Sequence, residues 1–177
     1  MLSIEADLDA VALLNRTCRY RSPGHADMTV LPVAISDTVG FVRFAIAVRA
    51  RAANSIEGFG STQTGGVKEI RTLPCATLDS LLAHFPAPDV LKIDVEGAEL
   101  GVLRGAERVL SQSRPVIYCE VTDCTRAQVA TLLHDNAYML WDGEGFDKSL
   151  NSKRISDMTT NVVAIPQELT ETFFASI

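Results

Sequence analysis

The sequence predicts an α/β fold, a sheet with helices on both faces, and three stretches carry that prediction. The central one, Val90-Leu91-Lys92-Ile93-Asp94, is an apolar run of strand length whose continuation breaks at Gly97 and proceeds as an amphipathic helix to Gln112. Leu2-Ser3-Ile4-Glu5 ahead of Ala6 to Arg16 repeats that order, a strand end followed by a helical apolar face of Ala10, Val11, Leu13 and Leu14. Val116-Ile117-Tyr118-Cys119-Glu120-Val121 has the near-continuous apolarity of a parallel strand buried on both faces, interrupted by Glu120.

The remaining elements follow in order. Past Ser22-Pro23-Gly24, Met28 to Ile35 reads as a strand, Ser36 to Gly40 as a turn, and Phe41 to Val48 as a second arm. In that arm Phe41, Arg43 and Ala45 alternate with Val42, Phe44 and Ile46. Together they predict a hairpin, at the sheet edge or on an inserted ribbon. Arg49 to Gly66 is small, polar and glycine-rich, which predicts a long mobile loop, either a lid or substrate loop or a disordered stretch without function. Val67 to Leu73 is a further strand, and Thr77 to Leu82 a brief helix halted by Pro86-Ala87-Pro88. Thr125-Arg126-Ala127-Gln128 has the capping-box pattern, and Val129, Leu132 and Leu133 supply the apolar face of the helix behind it. Tyr138 to Trp141 and Asn161 to Ile165 are the last strands, joined by the polar run Asp142 to Thr160. No repeat, low-complexity tract or domain boundary divides residues 1–177, so they read as a single domain.

Composition excludes several classes. Sixteen basic against twenty-two acidic side chains leave a net charge of −6, which argues against nucleic acid or an anionic membrane as the main partner. Cys18, Cys75, Cys119 and Cys124 show no CxxC spacing, and His25, His84 and His134 are scattered. Neither a zinc site nor a disulfide scaffold follows, and a reduced, cytoplasmic setting is expected. No apolar run approaches the roughly 18 residues of a spanning helix, so membrane insertion is not expected. Oligomeric state is left open.

Carboxylates gather where the central strand meets its helix: Asp94, Glu96 and Glu99, with Glu120 near the end of the next strand. In an open α/β sheet ligands bind at the carboxyl ends of the strands. Lys92 and Asp94, two residues apart, point to the same side of their strand. A carboxylate at Asp94, Glu96 or Glu120 can take the proton of a hydroxyl, and the sequence does not choose among the three. Lys92 either keeps one of them ionised, touches the oxygen that gives up the proton, or pairs with Glu120 across adjacent strands. Glu99 lies in the first helical turn, where the helix dipole favours an acid by roughly 0.3–1 kcal/mol, and reads as structural. Asp94, Glu120 and Asp123 are hard donors of the type that suits magnesium. Carboxylates collect at sheet edges without metal, however, and none is assigned. Glu5 either accepts ribose hydroxyls or favours the dipole of its helix.

The stretch LKIDVEGAELGVLRGAERVL followed by RPVIYCEV resembles the signature of the FkbM-type methyltransferases, S-adenosylmethionine-dependent O-methyltransferases with a Rossmann-like fold. The likeness continues upstream through IEADLDAVALLNR, VAISDTVGFVRF and TLDSLL, covering Leu2 to about Val121. It implies S-adenosylmethionine as cofactor and a small-molecule or glycan hydroxyl as acceptor, on a sugar, glycolipid or polyketide-like compound. Residue by residue, it implies Glu5 at the cofactor ribose, Ser36 and Asp37 at its adenine end, Asp94 beside the sulfonium, and Glu96, Glu99 and Glu120 along the same edge. The family pattern also carries a first strand and a glycine-rich turn ahead of the residues matching Leu2 to Glu5. The expectation is therefore a partial methyltransferase-like domain, lacking both, with weak or absent cofactor binding. A dehydrogenase that uses Glu5 for a ribose, and a non-catalytic Rossmann-like module binding a partner through an exposed edge, are the alternatives.

Overall fold

The computed structural model describes residues 1–20, 24, 26–49, 53–59, 65–144, 146, 154–156 and 159–175. Strand β1 (Leu2–Ile4) leads into helix α1 (Leu8–Arg19), then β2 (Thr29–Leu31), β3 (Ala34–Ile35), β4 (Gly40–Ala47), β5 (Ser55–Ile56) and β6 (Val67–Ala76). Helix α2 (Leu78–Leu81), β7 (Val90–Ile93), α3 (Glu99–Arg104), a π-helical turn at Val109–Ser113 and β8 (Val116–Glu120) form the middle of the chain. Helix α4 (Arg126–Asp135), β9 (Tyr138–Asp142), β10 (Arg154–Ile155), β11 (Asn161–Pro166) and α5 (Thr170–Ala175) complete it.

Five strands form the main sheet in the order β10-β9-β11-β8-β7, with β7 and β8 parallel and β11 antiparallel to both its neighbours. Ile117 and Cys119 of β8 face a core built with Val102 and Leu103 of α3 and Val129 and Leu133 of α4. The intervening Val116 and Tyr118 face the opposite way, onto Trp141, Val163, Phe173 and Phe174. Period-two alternation thus puts helices on both faces of β8, as its sequence predicted. β1 and β2 form a parallel pair of their own.

Several expectations are corrected. Met28 to Ile35 is two strands, because Pro32 has no N–H for a ladder. β2 joins β1, whereas β3 pairs in parallel with the end of β6. The hairpin partner of β4 is accordingly β6, with Phe44 opposite Arg71, and the small core of Phe44, Ile46 and Leu73 closes that ribbon. Within the expected loop Arg49 to Gly66, Ser55–Ile56 is a strand on Phe44 and Ala45, and residues 50–52 and 60–64 lie outside the described residues. In Asp142 to Thr160 the described part includes β10, while residues 145, 147–153 and 157–158 lie outside.

The central helix does not run unbroken to Gln112. It stops at Gly105, whose Cβ, if present, would sit 2.2 Å from the Ser36 carbonyl oxygen. The chain resumes when Asp79 at the head of α2 accepts the N–H groups of Arg108 (2.8 Å) and Val109 (3.0 Å). Thr125 precedes α4 but makes no side-chain cap, since its hydroxyl is committed to Glu99.

Candidate active site

Burial of Ile93 anchors the end of β7, and the chain then turns sharply through two left-handed residues, Glu96 (φ 51°) and Gly97 (φ 101°). Glycine adopts that conformation without penalty. For Glu96 it costs about 1–2 kcal/mol, a strain that persists only where the surroundings enforce it. Glu99 does the enforcing. It is 1% exposed, one oxygen accepts the Gly97 N–H at 2.6 Å, and the other accepts the hydroxyls of Thr125 (2.8 Å) and Thr122 (3.4 Å). Glu99 is structural, as its sequence position suggested, but through buried hydrogen bonds that tie the turn to the head of α4 rather than through the helix dipole.

The turn sets three carboxylates at one edge. Asp94 pairs with Lys92 at 2.6 Å, both largely exposed. A Lys92–Glu120 pair does not form, because the register sets Lys92 opposite Tyr118. Glu96 pairs with no described basic side chain. Burial first, then the negative charges of Asp94, Glu120 and Glu99, hold its carboxyl above the usual carboxylate range. Among the described residues no three His, Cys, Asp or Glu side chains converge as a metal site.

Across from this edge stands the end of β1. The Glu5 carboxylate accepts the Asp7 N–H at 2.7 Å. Asp7 is buried, caps α1 through the Asp9 N–H at 3.0 Å, and accepts the Asn54 amide at 2.9 Å. Glu5, Lys92, Asp94, Glu96 and Glu120 all line a single cavity of about 1480 Å³. The fold therefore brings together residues up to 115 positions apart in sequence, from Glu5 to Glu120. Ser36 and Asp37 are not among its lining residues. Ser36 is packed against Gly101 and Gly105 instead, and its hydroxyl lies 3.3 Å from Asp37. Asp7 and Asn54 line the cavity and were not singled out from sequence. An Asp immediately before a helix is a standard N-cap signal and marks the first of them. Nothing local marks Asn54.

The family model of the methyltransferase FkbM domain matches residues 1–148. This chain belongs to that family. A crystal structure of methyltransferase FkbM from Methylobacillus flagellatus KT is similar to it, with a TM-score of 0.56 and 17% identity over 93% of this chain. The chain spans 36% of the length of that protein. No curated protein matches. The likeness of fold makes the sheet of this FkbM domain Rossmann-like, with the signature running from β7 through α3 to β8.

The donor set fits a cationic sulfonium cofactor. Asp94, Glu96 and Glu120 line the cavity, Asp94 paired with Lys92, and the Glu5 carboxylate, which accepts the Asp7 N–H, lines it too. No described helix is long and apolar enough to cross a membrane.

Proposed function

We propose that this FkbM domain is an S-adenosylmethionine-dependent O-methyltransferase whose acceptor is a hydroxyl of a sugar, glycolipid or polyketide-like compound. The observation that carries the reading is the opening of Glu5 and of Asp94, Glu96 and Glu120 onto one cavity. S-adenosylmethionine supplies an electrophilic methyl group. Glu5 would accept hydrogen bonds from the ribose hydroxyls, and Asp94, paired with Lys92, would hold the sulfonium end. Bringing the acceptor oxygen to the methyl in line is the main demand, and positioning can contribute roughly 7–11 kcal/mol.

Glu96 would take the proton of the acceptor hydroxyl on its carboxylate as the oxygen bonds to the methyl carbon and the carbon–sulfur bond breaks, releasing the neutral thioether. It is better suited than Asp94, whose charge is committed to Lys92, and its raised pKa brings it nearer the range of an effective base. Its strained backbone is a further mark of function. The domain acts as one unit, in the cytoplasm and without nucleic acid as partner.

Thermal unfolding with S-adenosylmethionine, S-adenosylhomocysteine and NAD tests the reading. Ligand that binds only the folded state raises the midpoint in proportion to the logarithm of its concentration. Stabilisation by the two adenosyl compounds, at millimolar concentration, supports it, and stabilisation by NAD alone overturns it. No shift with any of the three favours a partner-binding, non-catalytic module, the second reading, which the open cleft beside β7 also favours.

A further inference from the structure

Glu5, the residue proposed to hold the cofactor ribose, does not set its own geometry. One of its oxygens accepts the Asp7 N–H at 2.7 Å, and among the described residues nothing donates to the other. Asp7 is in turn held from three directions. Its carboxylate accepts the Asp9 N–H at 3.0 Å, lies 3.7 Å from the Arg71 guanidinium, and accepts the Asn54 side-chain amide at 2.9 Å. At 5% exposure this carboxylate needs such partners, because an uncompensated buried charge is expensive. Asn54 stands just ahead of β5, 47 positions along the chain from Asp7. Its amide oxygen accepts the Ala47 N–H, at the end of β4, at 2.8 Å. Reversing the amide would set its NH2 against the Ala47 N–H and its oxygen against the Asp7 carboxylate, so the two bonds fix one orientation.

Glu5, Asp7 and Asn54 all line the large cavity, and Asp7 links the other two. Its carboxylate and its N–H belong to one short residue, so holding the first limits how far the second can turn. A hydrogen bond to an ionised carboxylate is strong and directional. A carboxylate already fixed in the bound geometry loses less rotamer freedom when a ligand arrives. We propose that Asn54 is a positioning residue for the cofactor ribose: by holding Asp7 it keeps one Glu5 oxygen on the Asp7 N–H and leaves the other for a ribose hydroxyl. The inference rests on the methyltransferase reading given above. It makes the ribbon of β4, β5 and β6 part of the cofactor site, although none of its residues was singled out for that role from sequence.

The probes are S-adenosylhomocysteine and its 2′,3′-dideoxy analogue, each titrated into the full chain to millimolar concentration. The parent is expected to bind the dideoxy compound about tenfold more weakly, the value of roughly one good hydrogen bond. Asn54→Ala should weaken S-adenosylhomocysteine more than the analogue and cut that preference to about threefold or less. Asn54→Asp, which keeps an acceptor for Ala47 but turns an oxygen onto Asp7, should cut it as far. The preference is a ratio of two constants from one preparation, so partial unfolding of a variant leaves it unmoved. Equal weakening of both ligands, with the preference kept, marks a merely structural contact and overturns the proposal. So does a full preference in Asn54→Asp, since the bond to Ala47 then suffices without the one to Asp7. Equal binding of the two ligands by the parent removes Glu5 from the ribose and this inference with it, while the methyltransferase reading stands. A parent that binds neither overturns both.

Discussion

The Glu99 carboxylate accepts the backbone N–H of Gly97 at 2.6 Å and the Thr125 hydroxyl at 2.8 Å, and so locks the turn that carries Glu96 onto the start of α4. Two buried donors depend on one side chain. An unpaired buried donor costs about 1–3 kcal/mol, so Glu99→Ala should lower stability by about 2–4 kcal/mol in urea unfolding. Glu99→Gln retains an acceptor for Gly97, and the Thr125 hydroxyl can turn, so about 1 kcal/mol is expected. A loss below about 0.5 kcal/mol for the alanine variant would show that the turn stands without this tie.

Glu96 is the residue proposed to remove the proton, and Glu96→Gln should then reduce methyl transfer by about 10² to 10⁴ without altering the circular dichroism. Its folded pKa is raised, so the folded chain holds the proton more tightly than the unfolded one. The stability that this proton contributes is present at low pH and is lost as pH rises from 4.5 through the raised value. At neutral pH Glu96→Gln should therefore be more stable than the parent chain, and activity of the parent should rise with pH across the same window. A glutamine variant with parental activity transfers the role to Asp94 or Glu120.

Arg114, itself left-handed at φ 54°, joins three parts of the chain. Its guanidinium donates to the carbonyls of Leu110, Asn136 and Ala137, lies 4.8 Å from the centre of the Tyr138 ring, and pairs with Glu168. That pairing pulls the Glu168 carboxyl down to about 2. The associated stability is present above 4.5, the ordinary value, and is lost as pH falls toward about 2. Glu168 is exposed, so salt should screen the contribution and the carbonyl bonds should dominate. Arg114→Ala should lower stability by about 2–4 kcal/mol at neutral pH and flatten the acid limb of the stability profile between 4.5 and 2.

Gly105 ends α3 against the Ser36 carbonyl. Gly105→Ala needs the backbone of the β3–β4 turn or of the helix end to move, and a loss of about 1–3 kcal/mol is expected in thermal unfolding. Gly101→Ala, whose added Cβ would lie 3.2 Å from a Ser36 hydroxyl held by one 3.3 Å hydrogen bond to Asp37, should be milder. Equal losses at the two sites would show that the close approach at Gly105 is relieved cheaply.

What was legible in the chain was local. The apolar runs at Leu2, Val90, Val116 and Tyr138, the break at Gly97, and the motif from Leu91 to Leu110 were enough to predict an α/β sheet and the family. Strand and helix periodicity, and the backbone freedom of glycine, act over a few residues and leave their pattern in the sequence. That Glu5, Asp94, Glu96 and Glu120 lie at or near strand ends was also legible, because a charge beside a buried run must reach solvent or a partner.

Pairing across distance was not legible. That β4 joins β6 rather than the preceding strand, that Asp7 holds Asn54, and that Glu99 is an anchor while Glu96 meets no described basic side chain depend on which segments the folded chain brings into contact. The same holds for Ser36, whose carbonyl meets Gly105 instead of the cavity. Sequence alone determined the family, the order of most elements and which acidic residues lie near strand ends. Tertiary structure decided their partners, and with them the cleft between β1 and β7, because hydrogen bonds and burial between distant residues are set by packing geometry that no local pattern encodes.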